Sequence, residues 1–381
     1  MMRRALLAVV ALLAALAAPV QASSDDSTRT AERPRLAASA WYLVGRDGVV
    51  LAERSSRRPR AIASITKLMT ALVALERTRP SDVVRVNPAA AAVGGSTIFL
   101  RGGEELTVAE LVRGALVPSA NDAATALALH VGRGSTARFV SLMNAKAEEL
   151  GLSGTTFVNP HGLDEPGHLS NARDATLLLR HALGVPFIRD ALARTSFSHG
   201  GSEYRTTDDL LVSWPALVGG KTGHTQGAGW SEAAAATGRG ATVYGTVLGV
   251  DTRRGRNDAL RTLLLYGLST YRRVAAIEAS RVYAEAETGY GRPAVELVAP
   301  RTLLRTVHST TALVERVVAP MSAALPVGRG QRLGHVEIWD GNRLLASSNL
   351  VAAADVSEPG YLGKARWLMT RTAENVWELV T

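Results

Sequence analysis

No cysteine occurs in the 381 residues of this chain. That absence excludes thiolate catalysis, iron–sulfur clusters and cysteine zinc sites. It leaves the redox compartment open and suits an exported protein that avoids mispaired disulfides. Lysine is scarce as well: of 43 basic residues only Lys67, Lys146, Lys221 and Lys364 are lysines. The rest are scattered arginines. The formal charge of +9 therefore reflects composition rather than a patch built for nucleic acid. Aromatic residues make up 5% and charged residues 20%, against 46% hydrophobic. A disordered or collagen-like chain is excluded, and the length allows about two or three domains.

Long apolar runs are also missing, with one exception at the start. Residues 5–19 are apolar behind Arg3 and Arg4, and Val20-Gln21-Ala22 precedes a polar Ser23-Ser24-Asp25-Asp26. The run falls short of the ~20 residues that span a bilayer. A basic start, a short apolar core and small residues before the cut predict a signal peptide over 1–22. An uncleaved anchor is the alternative. Residues 23–37, with Pro34, read as a disordered lead-in.

Beyond the lead-in the chain mixes helical and strand periods. Residues 39–52 read as a hairpin around Arg46-Asp47-Gly48. Ile65, Leu68, Met69, Leu72 and Leu75 have helical spacing. Helical patterns recur over 107–116, 121–131, 136–150 and 257–280. Residues 229–250 read as strand, turn, strand. This is an α+β pattern rather than regular βαβ. After residues 288–293 short β-like runs alternate with turns to residue 356, which predicts a small β domain. In the tail, Leu362, Ala365, Met369, Ala373, Val376 and Val380 form a stripe beside Trp377. That is the pattern of an amphipathic helix, seated either in a lipid interface or on the β domain.

Three short motifs carry chemistry. Ser64-Ile65-Thr66-Lys67 at a helix start puts a lysine amine beside a serine hydroxyl. Serine needs a base to take its proton, and a lysine with a lowered pKa is such a base. Ser119-Ala120-Asn121 precedes a helical run, and its plain reading is an N-cap. Lys221-Thr222-Gly223 leads into the 229–250 hairpin. A strand edge with a cation, a hydroxyl and a glycine suits an extended peptide ending in a carboxylate. A Walker phosphate loop is the rival, but it needs glycine where Pro215 stands. His161 and His168 flank a loop that lacks a His-Glu-x-x-His pattern, so no metal is expected.

In that order the motifs are the signature of active-site serine penicilloyl enzymes. ASITKLMTALVALE, LVPSANDAATALA, FVSLMNAKAEELGLSGTTFVNPHGLD and GGKTGHTQGAGW resemble the low-molecular-mass D-alanyl-D-alanine carboxypeptidases, penicillin-binding proteins of the dacA type. The resemblance covers residues 38–381. It implies a penicillin-binding/β-lactamase-like transpeptidase domain over 38–285, an antiparallel sheet flanked by helices. It also implies a small β domain over 286–360 and an amphipathic membrane-anchor helix over 361–381. Ser64 would be the nucleophile and Lys67 the acylation base. Ser119 and Lys221 would carry the proton to the leaving amine, and Asn121 would hold the substrate amide. Thr222 and Lys221 would bind the terminal carboxylate, beside Gly223. The backbone N–H groups of Ser64 and His224 would form the oxyanion hole.

No cofactor is implied. The partners would be a stem peptide ending in D-Ala-D-Ala, β-lactams, and the outer face of the cytoplasmic membrane through the tail, in a periplasmic setting. Two features depart from the family. Arg205-Thr206-Thr207-Asp208-Asp209 replaces an Asn-rich stretch before Leu210-Leu211, and Gly220 stands where an apolar residue is usual. Arg205, Arg254 and Arg256 are candidates for a supplementary carboxylate contact. A D,D-endopeptidase and a non-catalytic wall-binding protein are the alternatives. A β-lactamase is disfavoured, because Glu165 is the only glutamate between residues 150 and 200 and does not match the deacylation pattern.

Overall fold

The computed structural model describes residues 34–378. The expected signal peptide and most of the lead-in lie outside the described residues. The chain divides between Arg272 and Arg273 into two compact units.

The first unit is built on a five-stranded antiparallel sheet. Its order is Val50–Arg54, Ala40–Gly45, Ala241–Val250, Gly229–Gly238 and Leu217–Thr225, so the strand of the third motif is an edge. Side chains alternate across a strand, and here both faces are covered. Tyr42, Val44, Ala233 and Ala235 pack with the helices Lys67–Arg77, Val108–Leu116, Asn121–Val131 and Ala172–Gly184. Trp41, Leu43, Ala234 and Ala236 pack with Leu260, Leu263 and Leu264 of the helix Arg253–Ser269. The helix Asn121–Val131 is buried from Asn121 through Leu129, the mark of a helix inside its unit rather than on it. Its neighbour Val108–Leu116 starts from a capping box between Thr107 and Glu110, worth about 1 kcal/mol.

One expected helix is displaced. The pattern over 257–280 becomes a helix over Arg253–Ser269 and a strand over Tyr271–Ile277. Thr252 starts the helix early by accepting from Gly255 N–H at 3.0 Å. Thr270 ends it, its hydroxyl donating to the Gly267 carbonyl at 2.7 Å.

The second unit holds a six-stranded sheet. Its order is Leu313–Val318, Arg332–Asp340, Arg343–Ala352, Val295–Val298, Val282–Thr288 and Ser322–Ala323. Its core is Ile277, Leu297, Val336, Ile338 and Leu350. The strand Val282–Thr288 crosses residue 285, so the division of the chain falls earlier than the change of pattern in the sequence. The tail is a helix, Tyr361–Glu378. Tyr290 meets Trp367 edge-on at 5.5 Å, and Lys364 pairs with Glu358 at 2.5 Å. Leu362 and Met369 of the stripe are exposed, at 89% and 68%.

Candidate active site

Ser64 lies in a single 3-10 turn, Ala63–Thr66, which runs into the helix Lys67–Arg77. Positions i and i+3 eclipse in such a turn, so Lys67 stands over Ser64. Lys67 Nζ lies 2.7 Å from Ser64 Oγ, 2.7 Å from Asn121 Oδ1 and 2.7 Å from the His161 carbonyl. The side chain is fully buried. Burial and then the positive charge of Lys221 hold its pKa well below the ordinary lysine value, with Asp122 pulling the other way. A neutral amine has two N–H donors and one lone pair. Two carbonyl oxygens take the donors. In the neutral form the lone pair is left to accept from the Ser64 hydroxyl; in the ammonium form Lys67 donates to Ser64 Oγ.

The second pair spans the fold. Lys221 Nζ donates to Ser119 Oγ at 3.0 Å and to the Thr222 carbonyl at 3.1 Å. Burial brings the Lys221 pKa down to about 7, while Asp208 and Glu232 resist that fall. The N-cap reading of the second motif does not hold. Ala120 occupies the cap position and no side chain caps the helix. Ser119 and Asn121 instead face the two lysines. Ser119 has φ +68° and Ala63 has φ +47°. Left-handed backbone at a non-glycine residue costs on the order of 1–3 kcal/mol and gathers at functional sites.

The edge strand lies against the nucleophile's turn. A Cβ on Gly223 would sit 2.6 Å from the Ile62 carbonyl and 3.2 Å from Ser64 N, so only glycine admits this approach. Thr222 shares a 2.6 Å hydroxyl contact with Thr207. The His224 ring stacks at 3.9 Å on Trp230, its partner on the neighbouring strand.

The walls are tied in by polar groups. Asn121 Nδ2 donates to the Gly94 carbonyl at 2.8 Å. Asp122 accepts from Ile98 N–H and Leu100 N–H, both at 3.1 Å to Oδ2. His168 Nδ1 accepts from Val158 N–H at 3.1 Å, so its Nε2–H donates to Thr66 Oγ1 at 2.8 Å. Burial drops the His168 pKa to about 4, which keeps the ring neutral as those bonds require. The pKa of His161 also falls to about 4, through burial and the nearby Lys67 charge. Glu165 accepts from Asn159 Nδ2 at 3.0 Å. Of the three arginine candidates, Arg254 is 94% exposed, Arg205 lines a cleft with Asp209 and Arg253, and Arg256 is buried against Glu232.

Ser64 with Lys67 and Ser119 with Lys221 thus form two hydroxyl–amine pairs, Asn121 touches Lys67, and Thr222 and Gly223 follow Lys221 on its strand. Sequence reasoning missed Thr207, Asp122 and the His161 carbonyl. Nothing local marks a carbonyl as a lysine partner, and Thr207 gains meaning only when the edge strand is placed beside it.

A serine hydroxyl 2.7 Å from a buried lysine amine, beside the edge of an antiparallel sheet, is an arrangement suited to serine acyl transfer with lysine in the place of histidine. Comparison with known proteins agrees. A family model described as D-alanyl-D-alanine carboxypeptidase matches residues 27–252. D-alanyl-D-alanine carboxypeptidase DacF of Bacillus subtilis is 30% identical over 365 residues, covering 91% of this chain and 92% of that protein. DacC of Escherichia coli is 32% identical over 359 residues, covering 88% of each. Penicillin binding protein 5 from Haemophilus influenzae superposes with a TM-score of 0.63 at 28% identity, covering 85% of this chain and 99% of that one. The Streptomyces K15 DD-transpeptidase gives 0.59 at 29%, covering 62% of this chain and 99% of that one. This chain belongs to the D-alanyl-D-alanine carboxypeptidase family.

Proposed function

We propose that the chain is a serine-type D-alanyl-D-alanine carboxypeptidase that removes the terminal D-alanine from peptidoglycan pentapeptides and is acylated by β-lactams. Ser64 Oγ attacks the carbonyl carbon before the terminal D-alanine, and its proton passes to Lys67 Nζ. The new oxyanion takes the N–H groups of Ser64 and His224. The C–N bond breaks, and Ser119 with Lys221 returns a proton to the departing amine. Asn121 holds the substrate amide. Charged Lys221, with Thr222, binds the terminal carboxylate. Water then cleaves the ester on Ser64, releasing the shortened peptide. A β-lactam enters the same steps, but its ring-opened amine stays attached. The observation that carries this reading is the Lys67 amine, with two carbonyl acceptors and a serine hydroxyl each 2.7 Å away.

The test is release of free D-alanine from a diacetyl-Lys-D-Ala-D-Ala tripeptide, with Ser64→Ala as control. Release that vanishes in the variant is expected. No release from the folded wild type, with cleavage of cross-linked dimers, identifies an endopeptidase. Penicillin binding without any turnover identifies a wall-binding protein.

The setting proposed is the periplasm, with the helix Tyr361–Glu378 lying in the outer surface of the cytoplasmic membrane. No helix among the described residues is long and apolar enough to cross a membrane. The exposed Leu362, Leu368 and Met369 support seating in an interface instead. Flotation with anionic phospholipid vesicles should carry the full chain and leave behind a chain lacking residues 361–381. Equal flotation of both rejects the anchor.

A further inference from the structure

Behind the edge strand lies a buried group of charges that the reaction does not use. Side chains alternate, so Lys221 faces the cleft while Gly220 faces the other side of the sheet. On that side Asp208 caps the helix Asp209–Ser213, its Oδ1 accepting from Leu211 N–H at 3.0 Å. Its Oδ2 lies 3.1 Å from where a Cβ on Gly220 would sit. That Cβ would also lie 2.7 Å from the Ala234 Cβ. Gly220 leaves room there both for the Ala234 methyl group and for the carboxyl group. Glu232 reaches the same space from the neighbouring strand, opposite Thr222, within hydrogen-bonding reach of Asp208.

Both carboxyl groups are buried, at 3% and 0% exposure. Neither Asp208 Oδ2 nor either Glu232 oxygen accepts a hydrogen bond from a donor among the described residues. Arg256 comes near, its Nε 2.9 Å from Glu232 Oε2. Yet its N–H groups are aimed at Asn257 Oδ1, at 3.0 Å and 2.6 Å. Arg256 also lies 3.5 Å from Asp209, which Arg253 engages from outside. Two buried carboxylates in contact, with three of their four oxygens lacking donors, are unstable. One proton between them gives Glu232 an O–H and Asp208 Oδ2 a donor.

We infer that Asp208 and Glu232 share one proton behind the Lys221-Thr222-Gly223 strand, and that the single negative charge they retain makes them positioning residues that keep Lys221 charged for the substrate carboxylate. Burial raises the pKa of Glu232 well above the ordinary carboxylate range and raises that of Asp208 as well. The groups facing the pair are Lys221 through the edge strand, Arg256 and Arg253 from the helix Arg253–Ser269, and Asp209 from the short helix that Asp208 caps. The inference rests on the proposed role of Lys221 in carboxylate binding.

A shared proton makes a sharp statement about charge. Glu232→Gln keeps the pair at one negative charge, and the alkaline limb of kcat/KM should stay where the wild type has it. The double variant Asp208→Asn, Glu232→Gln removes that charge. Its alkaline limb should move to lower pH by roughly one unit, with a rise in KM, while the acid limb set by Lys67 stays put. A limb shifted equally by Glu232→Gln alone means two ionised carboxylates and overturns the inference. So does a folded double variant with the wild-type limb. If the double variant fails to fold, infrared difference spectra decide. Wild type should show a protonated carboxyl band at neutral pH that Glu232→Gln removes, and a wild type without the band overturns the inference. Both limbs are read from D-alanine release and from acylation of Ser64 by a penicillin, which also carries a carboxylate. Wild type that acylates but releases no D-alanine sinks the carboxypeptidase reading and leaves the acylation profile to judge the pair.

Discussion

The helix side and the strand side of the cleft each present a serine with a lysine, reached by opposite routes. Ser64 and Lys67 are three positions apart, and one 3-10 turn brings them together. Ser119 and Lys221 are 102 positions apart and meet only when the sheet edge docks beside the central helix. Both lysines are buried. Their surroundings differ in kind. Lys67 donates to two neutral carbonyl oxygens, and the carboxylate of Asp122 beside it already accepts from Ile98 and Leu100. Lys221 has two carboxyl groups behind its strand that favour its charge. Burial lowers both pKa values, and in the proposed reaction the partners decide which lysine serves as the base and which as the cation.

The largest test of that contrast compares Lys67→Ala with Lys221→Ala. Loss of Lys67 should lower kcat for D-alanine release, and the rate of penicillin acylation, about 10³-fold, the scale of a lost general base. Loss of Lys221 should act first through KM, by about 10- to 100-fold, the scale of a charge-assisted bond to a carboxylate. Steady-state kinetics on a peptide amidated at its C-terminus separates them. Wild type should lose about as much on that substrate as Lys221→Ala has already lost, and Lys221→Ala should lose little more. Equal kcat losses with unchanged KM in both variants would break the contrast. The pH dependence has a definite sign. Activity should rise as Lys67 gives up its proton, then fall through about pH 7 as Lys221 loses the charge that holds the carboxylate.

Sequence made the helix side legible and the strand side less so. Ser-x-x-Lys at a helix start carries its own geometry, and the apolar spacing from Ile65 to Leu75 supplied the helix. The hairpins over 39–52 and 229–250 were legible because period-2 patterns end in turn residues. The helix Arg253–Ser269 was misplaced because its start depends on the Thr252 cap and its end on Thr270, while apolar residues continue into the strand behind it. Ser119 read locally as a cap. Its left-handed backbone and its bond to Lys221 depend on partners distant in the chain, which only the family resemblance supplied. Gly220 looked like a departure from the family, and a Cβ there would crowd first Ala234 and then Asp208.

The smallest expected effect probes the strand side alone. Thr207 and Thr222 share a 2.6 Å hydroxyl contact, and Thr207 belongs to the stretch where this chain leaves the family pattern. Thr207→Val keeps the shape of the side chain and removes the hydroxyl. Thr222 then loses the partner that fixes its rotamer, while the Ser64–Lys67–Asn121 contacts are untouched. One neutral hydrogen bond is worth about 1 kcal/mol, so KM should rise roughly fivefold with kcat near the wild-type value. The rate at which saturating penicillin acylates Ser64 should not change. A fall in kcat instead would mean that Thr207 reaches the helix side through the strand, and that the two sides of the cleft are coupled more tightly than their separate contacts suggest.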